Sequence, residues 1–283
     1  MQKKILTIND ISCVGRCSLT VELPLISCTG VECSVLPTAI LSTHTGGFTN
    51  YTFTDFTNEM MPIVNHWKSL NKQFDGISSG FLGSIDQIDI VKNIIKTFKT
   101  DKTIAIVDPA MADNGILYPT FDMKFATHMA SLCQMGDVIL PNITEACILT
   151  GVEYQEDNHS DEYINKVLNA LKEKGMKKVI LTGVRKAKDK IGAIAYDPTT
   201  NSEYYYDREL IPGYFHGTGD VFASVFTGCY ILGKSLEESM EIAVDITVSS
   251  IKHTIKYEGI DLKYGVCFEE AIPELIERLK QNK

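Results

Sequence analysis

The sequence predicts a doubly wound α/β fold, in which a mostly parallel central sheet is covered by helices on both faces. Three observations carry that prediction. Short, continuously apolar runs such as KKILTI (3–8), KTIAIVDP (102–109) and KKVILTG (177–183) read as strands buried on both faces. They alternate with segments of helical period in βαβα order. Several end in Asn, Asp or Gly, at the edge of an open sheet where such folds bind ligands.

The elements follow in order. KKILTI is the first strand, and CSLTVELPLIS (17–27) is a helix kinked near Pro24. ECSVLPTAIL (32–41) is the second strand. Residues 54–71 show helical periodicity, and DGISSG (75–80) reads as a strand end. Ser84 with Gln87 makes a capping box for a helix running to Phe98, and KTIAIVDP is the next buried strand. A helix near 121–134, strand DVILP (137–141), a short helix from about Thr144, a helix near 160–174 and strand KKVILTG repeat the pattern. KIGAIAYDPTTNSEYYYD (190–207) departs from it: a DPTTN turn between two strand-like runs predicts a hairpin. Helices near 218–232, 236–253 and 268–281 close the chain. No Ser/Gly-rich linker or repeat divides residues 1–283, so one domain is expected.

Composition narrows the function. The 283 residues are 44% hydrophobic and 22% charged, which is globular composition with material for a sizeable core. A net charge of −9 disfavours nucleic acid and anionic membranes, whose non-specific binding needs Lys and Arg to neutralise phosphates. No run reaches the roughly 20 apolar residues of a membrane span, and MQKKILTINDIS lacks the apolar core of a secretory signal. The expectation is a cytoplasmic protein. The eight cysteines include no C-x-x-C spacing and read as reduced, mostly buried thiols.

The strongest constellation is HGTGDVFASVFTGCYI (216–231), in which two glycines, a threonine and an aspartate directly precede an apolar helix. Gly217 and Gly219 let the backbone approach a bound group, and the free N–H groups of the first turn point at it with the positive end of the helix dipole. Asp220 could serve only as an N-terminal cap. A carboxylate beside an anion site is also what phosphoryl transfer uses to accept the acceptor hydroxyl's proton. Just downstream, GCYILGKS (228–235) spells a Walker A phosphate loop letter for letter. Its residues 229–232 continue the preceding helical period, Gly233 reads as a helix stop, and Ser235 with Glu238 forms the capping box of the next helix. The match is therefore read as a helix end.

Two further strand ends carry oxygen ligands. LPNITEACILTG (140–151) ends a strand in Asn142 and opens a helix carrying Glu145; the pair could be a cap, and it also suits a hydrated Mg²⁺ that takes few protein ligands. VDPAMADNG (107–115) presents Asp108 and Asp113. The basic run GVRKAKDK (183–190) reads first as a solvated approach to the hairpin, placed where it could also screen phosphates.

Taken together and in order, NDISCVG (9–15), LSTHTGGF (41–48), SGFLGS (79–84), VDPAMAD (107–113), LPNITEA (140–146), VILTG (179–183) and HGTGDVFAS (216–224) resemble the ribokinase-like superfamily over nearly the whole chain. GTGD marks only the superfamily, whereas residues 42–46 are similar to those of the vitamin B6 kinases. The resemblance implies a ribokinase-like fold without a separate lid domain, and ATP-dependent phosphorylation of a ring hydroxymethyl group. It implies Asp220 as base, with Gly217, Thr218 and Gly219 forming the anion hole. Asn142 and Glu145 would organise Mg²⁺ through water, with Asp108, Asp113 and Thr182 toward the ATP phosphates. Ser12 and Thr45 would bind the polar edge of the pyridine ring, with Val14, His44 and Phe81 around it. A homodimer and K⁺ as an added cofactor belong to the same implication.

The chain departs from that pattern in the compact SCVGR segment, in Ala112 where glycine is common, and in Phe81 where tyrosine is frequent. These leave the transfer chemistry intact and bear on which vitamer fits. A hydroxymethylpyrimidine kinase would use the same chemistry. A non-catalytic vitamer- or nucleotide-binding protein would have no need of a base, which Asp220, Asn142 and Glu145 together argue against.

Overall fold

The structure, a computed structural model, describes residues 1–281. In chain order the elements are β1 (Lys4–Val14), α1 (Leu19–Cys28), β2 (Glu32–Thr43), β3 (Phe53–Asp55), α2 (Thr57–Ser69), β4 (Gly76–Ser79), α3 (Ile85–Phe98) and β5 (Ile104–Val107). The small β6 (Ala112–Asp113) and β7 (Ile116–Leu117) precede α4 (Met123–Cys133), β8 (Val138–Ile139), α5 (Ile143–Thr150) and α6 (Asp161–Glu173). β9 (Lys178–Val184), β10 (Lys190–Asp197), β11 (Ser202–Glu209), α7 (Thr218–Ile231), α8 (Leu236–Thr254) and α9 (Ile272–Gln281) complete the chain, with 3-10 turns at Leu262–Tyr264 and Phe268–Ala271 before α9.

Nine strands form one sheet in the order β11-β10-β9-β8-β5-β4-β1-β2-β3. The six from β9 to β2 are parallel, and the edges are antiparallel: the predicted β10–β11 hairpin on one side, β3 on the other. The pleat divides the core. Leu6 and Ile8 of β1 pack on the side of α2 to α6, and Ile5 packs on the side of α1, α7 and α8. Thr7, which shares Ile5's face, meets α1 instead of another apolar side chain. The carboxyl ends of the parallel strands therefore converge on one rim with helix N-termini above it.

Three expectations change. The first two strands run to Val14 and Thr43, so NDISCV and LST lie within strands; a register shift between Asn9 and Ile11 re-aims the end of β1. The segment from residue 54 begins as edge strand β3, and α2 starts only at Thr57. Ser84 does cap α3 by accepting from the Gln87 N–H. Gln87 does not complete the box, because its side chain is buried, accepting from Gly83 N–H and donating to the Thr38 carbonyl. All eight cysteines are free and five are buried, with Cys13 exposed.

Candidate active site

The start of α7 is built by Gly217. Its φ of 76° is left-handed, and a Cβ there would lie 2.1 Å from the Arg16 carbonyl oxygen, so no other residue fits without displacement. Gly217 is itself the cap, and Asp220 makes no capping bond. Its carboxyl stands in the first turn, where the dipole favours a negative charge. Burial, then the charges of Glu22 and Asp10, push it up to about 7, against the opposing effect of the Ser18 N–H. A carboxyl poised near neutrality is suited to accept a proton. Thr218 turns its hydroxyl back to the Phe215 carbonyl (3.1 Å).

Beside it lie Asp108, Asn142 and Glu145. Asn142 and Glu145 do form a capping box for α5: Asn142 Oδ1 accepts from Glu145 N–H and Glu145 Oε2 from Asn142 N–H, each at 2.9 Å. Glu145 Oε1 accepts from Met111 N–H (3.0 Å) and Asn142 Nδ2 donates to the Ala112 carbonyl (2.9 Å), so the pair also fixes the loop after β5. Burial pushes Glu145 up to about 7, and Asp108 is raised by burial and by Glu145, Asp220 and Glu22. Asp113 receives the Tyr214 hydroxyl (3.3 Å), and Thr182 bridges to Asn142 at the end of β9.

This donor set fits a divalent cation held through water. Asp108 after β5 is raised by the neighbouring Glu145 of α5 and Asp220 of α7, so acids from separate elements crowd together here. Among the described residues no group of three or more His, Cys, Asp or Glu could hold a metal ion directly. A hydrated divalent cation that takes phosphate oxygens would match such a site.

The residues expected around a ring occupy the neighbouring rim. Ser12 is fully buried, and its hydroxyl donates to Asp10 (3.2 Å). Val14, at the end of β1, is 51% exposed, and Thr45 is exposed. Phe81 is half-buried, its N–H donating to Asn9 Oδ1 (3.0 Å) and its ring 5.5 Å from Phe121. His44 is buried. Gly46 N–H donates to its Nδ1, so the proton sits on Nε2, which donates to the Lys263 carbonyl (2.5 Å). Its ring packs 4.9 Å from His216 and 5.0 Å from Phe48.

Sequence reasoning missed Asp10, Ser18, Glu22 and His216. Glu22 is buried in α1 and accepts from Thr7 Oγ1 and from Asn9 Nδ2 (2.7 Å). A lone acid inside the apolar run LTVELPLIS was its available signal. His216, directly before the glycines, fills the space over Gly46, where a Cβ would lie 2.5 Å from its ring. The segment around the first 3-10 turn ties three motifs together: Tyr264 carbonyl accepts from Arg16 N–H (2.9 Å), Lys263 carbonyl from His44, and His216 carbonyl from Val266 N–H (3.2 Å). In the basic run, Lys186 pairs with Asp161 (2.8 Å) and lies over the Tyr205 ring, as a structural approach to the hairpin does.

Comparison with known proteins places this geometry. A family model described as phosphomethylpyrimidine kinase matches residues 26–263. A Bacteroides thetaiotaomicron protein described as a candidate phosphomethylpyrimidine kinase, crystallised with pyridoxal, is 38% identical; the match covers 97% of this chain and 96% of that one, with a TM-score of 0.91. Pyridoxal kinase from Lactobacillus plantarum is 29% identical over 98% of each chain, with a TM-score of 0.89. Pyridoxal kinase from Dictyostelium discoideum is 24% identical over 260 residues, 86% of this chain and 82% of the relative.

Proposed function

The chain belongs to the phosphomethylpyrimidine kinase family, among the vitamin B6 kinases of the ribokinase-like superfamily, and we propose that it transfers the γ-phosphoryl group of ATP to the 5′-hydroxymethyl group of pyridoxal, pyridoxamine or pyridoxine. The reaction would salvage these vitamers toward pyridoxal 5′-phosphate. The observation that carries the reading is Asp220, a carboxyl free of capping duty and held near neutrality, in the first turn of a glycine-started helix.

In this reading the acceptor hydroxyl gives its proton to Asp220 as its oxygen bonds to the γ-phosphorus, and the bond to the ADP oxygen breaks. Backbone N–H groups at Gly217, Thr218 and Gly219 face the charge that builds on the migrating group. Asn142 and Glu145 would hold Mg²⁺ through water, and Asp108, Asp113 and Thr182 would face the phosphates. Mg²⁺ supplies charge neutralisation to the phosphate oxygens. Ser12, whose hydroxyl also bonds Asp10, and Thr45 would meet the polar edge of the ring, with Val14, His44 and Phe81 around it.

One domain over residues 1–283, a homodimer, a cytoplasmic setting and K⁺ as an added cofactor complete the proposal on family resemblance. Sedimentation tests the homodimer, and activity measured against K⁺ tests the cation. No helix among the described residues is long and apolar enough to cross a membrane.

A second reading, hydroxymethylpyrimidine phosphorylation, is favoured by the family model's description. Pyridoxal in the 38% identical relative supports the first. A coupled assay of ADP release with the three vitamers and hydroxymethylpyrimidine decides between them. At least one vitamer should exceed the pyrimidine in kcat/KM by about tenfold, the discrimination of roughly 1.4 kcal/mol. The reverse order would replace the reading, and no turnover with any acceptor would leave a binding protein.

A further inference from the structure

Helix α1 carries one acid, Glu22, and it is buried. A carboxyl removed from water is destabilising unless donors meet it. Both of its oxygens turn to β1, where Oε2 accepts from Thr7 Oγ1 and Oε1 from Asn9 Nδ2 (2.7 Å). Asn9 is buried as well, and its Oδ1 accepts from two backbone N–H groups, those of Asp10 (2.9 Å) and Phe81 (3.0 Å). Two donors demand the amide oxygen and the carboxyl demands the amide NH2. Only one orientation of the Asn9 side chain therefore satisfies all three neighbours.

That amide joins two segments far apart in the chain. Asn9 stands at the register shift that re-aims β1 toward Ser12 and Val14, and Phe81 lies in the loop after β4. Gly80 lets the side chain pass against this loop, because a Cβ there would meet Asn9 Nδ2 at 2.3 Å. Phe81 is held at both polar groups of its backbone, since Thr38 Oγ1 donates to its carbonyl (3.3 Å). Asp10 in turn takes the hydroxyls of Ser12 (3.2 Å) and of Ser18 (2.6 Å), a residue at φ 58° and ψ −137° that makes no capping bond to its own helix. One side chain thus stands behind Phe81 directly and behind Ser12 through Asp10.

We propose that Asn9, oriented by Glu22, is a positioning residue for the acceptor: its amide oxygen clamps the re-aimed end of β1 to the Phe81 loop and so sets the spacing of the ring site. The inference rests on the reading of Ser12 and Phe81 as residues of the vitamer side. What the clamp requires is an oxygen facing the Asp10 and Phe81 N–H groups and a matched bond to residue 22 behind it. Neither requirement involves the nucleotide, so the clamp acts on acceptor binding and leaves ATP binding alone.

The test removes the clamp and then rebuilds it with its rear bond reversed. Asn9→Ser is too short to bridge, and should raise the KM for pyridoxal, or for the acceptor the wild type uses best, by about tenfold or more, with the KM for ATP within about twofold. In the double variant Asn9→Asp with Glu22→Gln, the new carboxylate keeps an oxygen toward both N–H groups and accepts from the new amide, whose own oxygen takes the Thr7 hydroxyl. Its acceptor KM should lie within about threefold of wild type. Exchange of the Phe81 amide hydrogen, followed by NMR, should be slow in the wild type and the double variant and about tenfold faster or more in Asn9→Ser. If Asn9→Ser does not fold, Glu22→Ala, which frees the Asn9 amide to turn, carries the same two readouts, with an acceptor KM raised by about threefold or more. A merely structural clamp would lower the melting temperature and the active fraction while leaving both KM values unmoved, and that result overturns the proposal. So does a double variant with a native melting temperature and the acceptor KM of Asn9→Ser. Should the wild type turn over no acceptor, the reading of the ring site fails separately, and a Phe81 amide equally protected in Asn9→Ser and wild type then overturns the clamp by itself.

Discussion

The two ends of α7 carry similar letters and opposite physics. At its start Gly217 takes a left-handed φ, leaves the first-turn N–H groups free, and is followed by an acid that caps nothing. At its end, within the string that spells a phosphate loop, residues 228–231 are still helical and Leu232 closes the helix. Gly233 turns with φ 96°, Ser235 accepts from Glu238 N–H to cap α8, and Lys234 pairs with Glu238 at 2.6 Å. The lysine ammonium and the serine hydroxyl there each have a local structural partner. The difference teaches that a glycine motif identifies a phosphate site only where it leaves donors unsatisfied and faces other loops.

The largest break in that contrast should come from Asp220→Asn. The variant should fold and bind ATP, with kcat lower by roughly 10²–10⁴-fold, the usual range for a general base. Steady-state kinetics beside nucleotide binding by calorimetry checks both halves; near-normal turnover would make Asp220 a bystander. Next in size is the pair of glycines. Gly217→Ala combines positive φ with a clash against backbone and should cost about 2–4 kcal/mol, together with most activity. Gly233→Ala has the same strain and no atom within 4 Å of its new Cβ, so about 1 kcal/mol is expected, with activity retained. Denaturant midpoints of the two proteins give the comparison, and equal losses would mean that the two turns are equally constrained.

The acidic end should also show in the pH dependence of stability. Asp220 and Glu145 are held at about 7, above their ordinary 3.8 and 4.5, so the folded state binds more protons than the unfolded state between those limits. The stability these groups contribute is present at low pH and is lost as pH rises through 7. His159 and His216, whose folded values lie below 6.5, add stability mainly as pH rises to 6.5 and only a small further amount beyond it. Without nucleotide, unfolding free energy should therefore fall by about 1–2 kcal/mol between pH 6.5 and 8. In Asp220→Asn the slope should be smaller; an identical slope would place the excess protons elsewhere.

Strand and helix order was legible because buried parallel strands are apolar throughout and contrast with helical period. β3, β6 and β7 were not, since two or three residues of edge pairing leave no period to read. At the site, Asp220 and Gly217 stood out because glycines before an apolar helix are a local pattern. Ser18 and Asp10 could not, because their meaning lies in a bond across a register shift and in a ψ angle that serine does not announce. His44 was visible as a residue but not in its role: both ring nitrogens are engaged by backbone, one of them through a segment more than 200 positions away.

The smallest effect belongs to Lys234, and its smallness is the point. If GCYILGKS bound phosphate, the lysine would contact the transferred group and its loss would remove most of the rate. In the structure its ammonium is committed to Glu238 one turn on, with the lysine side chain 12% and the glutamate 33% exposed. An i,i+4 pair of this kind contributes about 0.3–0.5 kcal/mol. Lys234→Ala should therefore leave kcat and the KM for ATP within about twofold of wild type, and lower the melting temperature by about 1–2 °C. Glu238→Gln breaks the same pair from the other side, and should give the same small shift. A phosphate-binding lysine would instead be freed by that change and keep its kinetics while Lys234→Ala lost a hundredfold. That asymmetry between the two variants, read in the KM for ATP, is the result that would make the end of α7 a nucleotide site like its start.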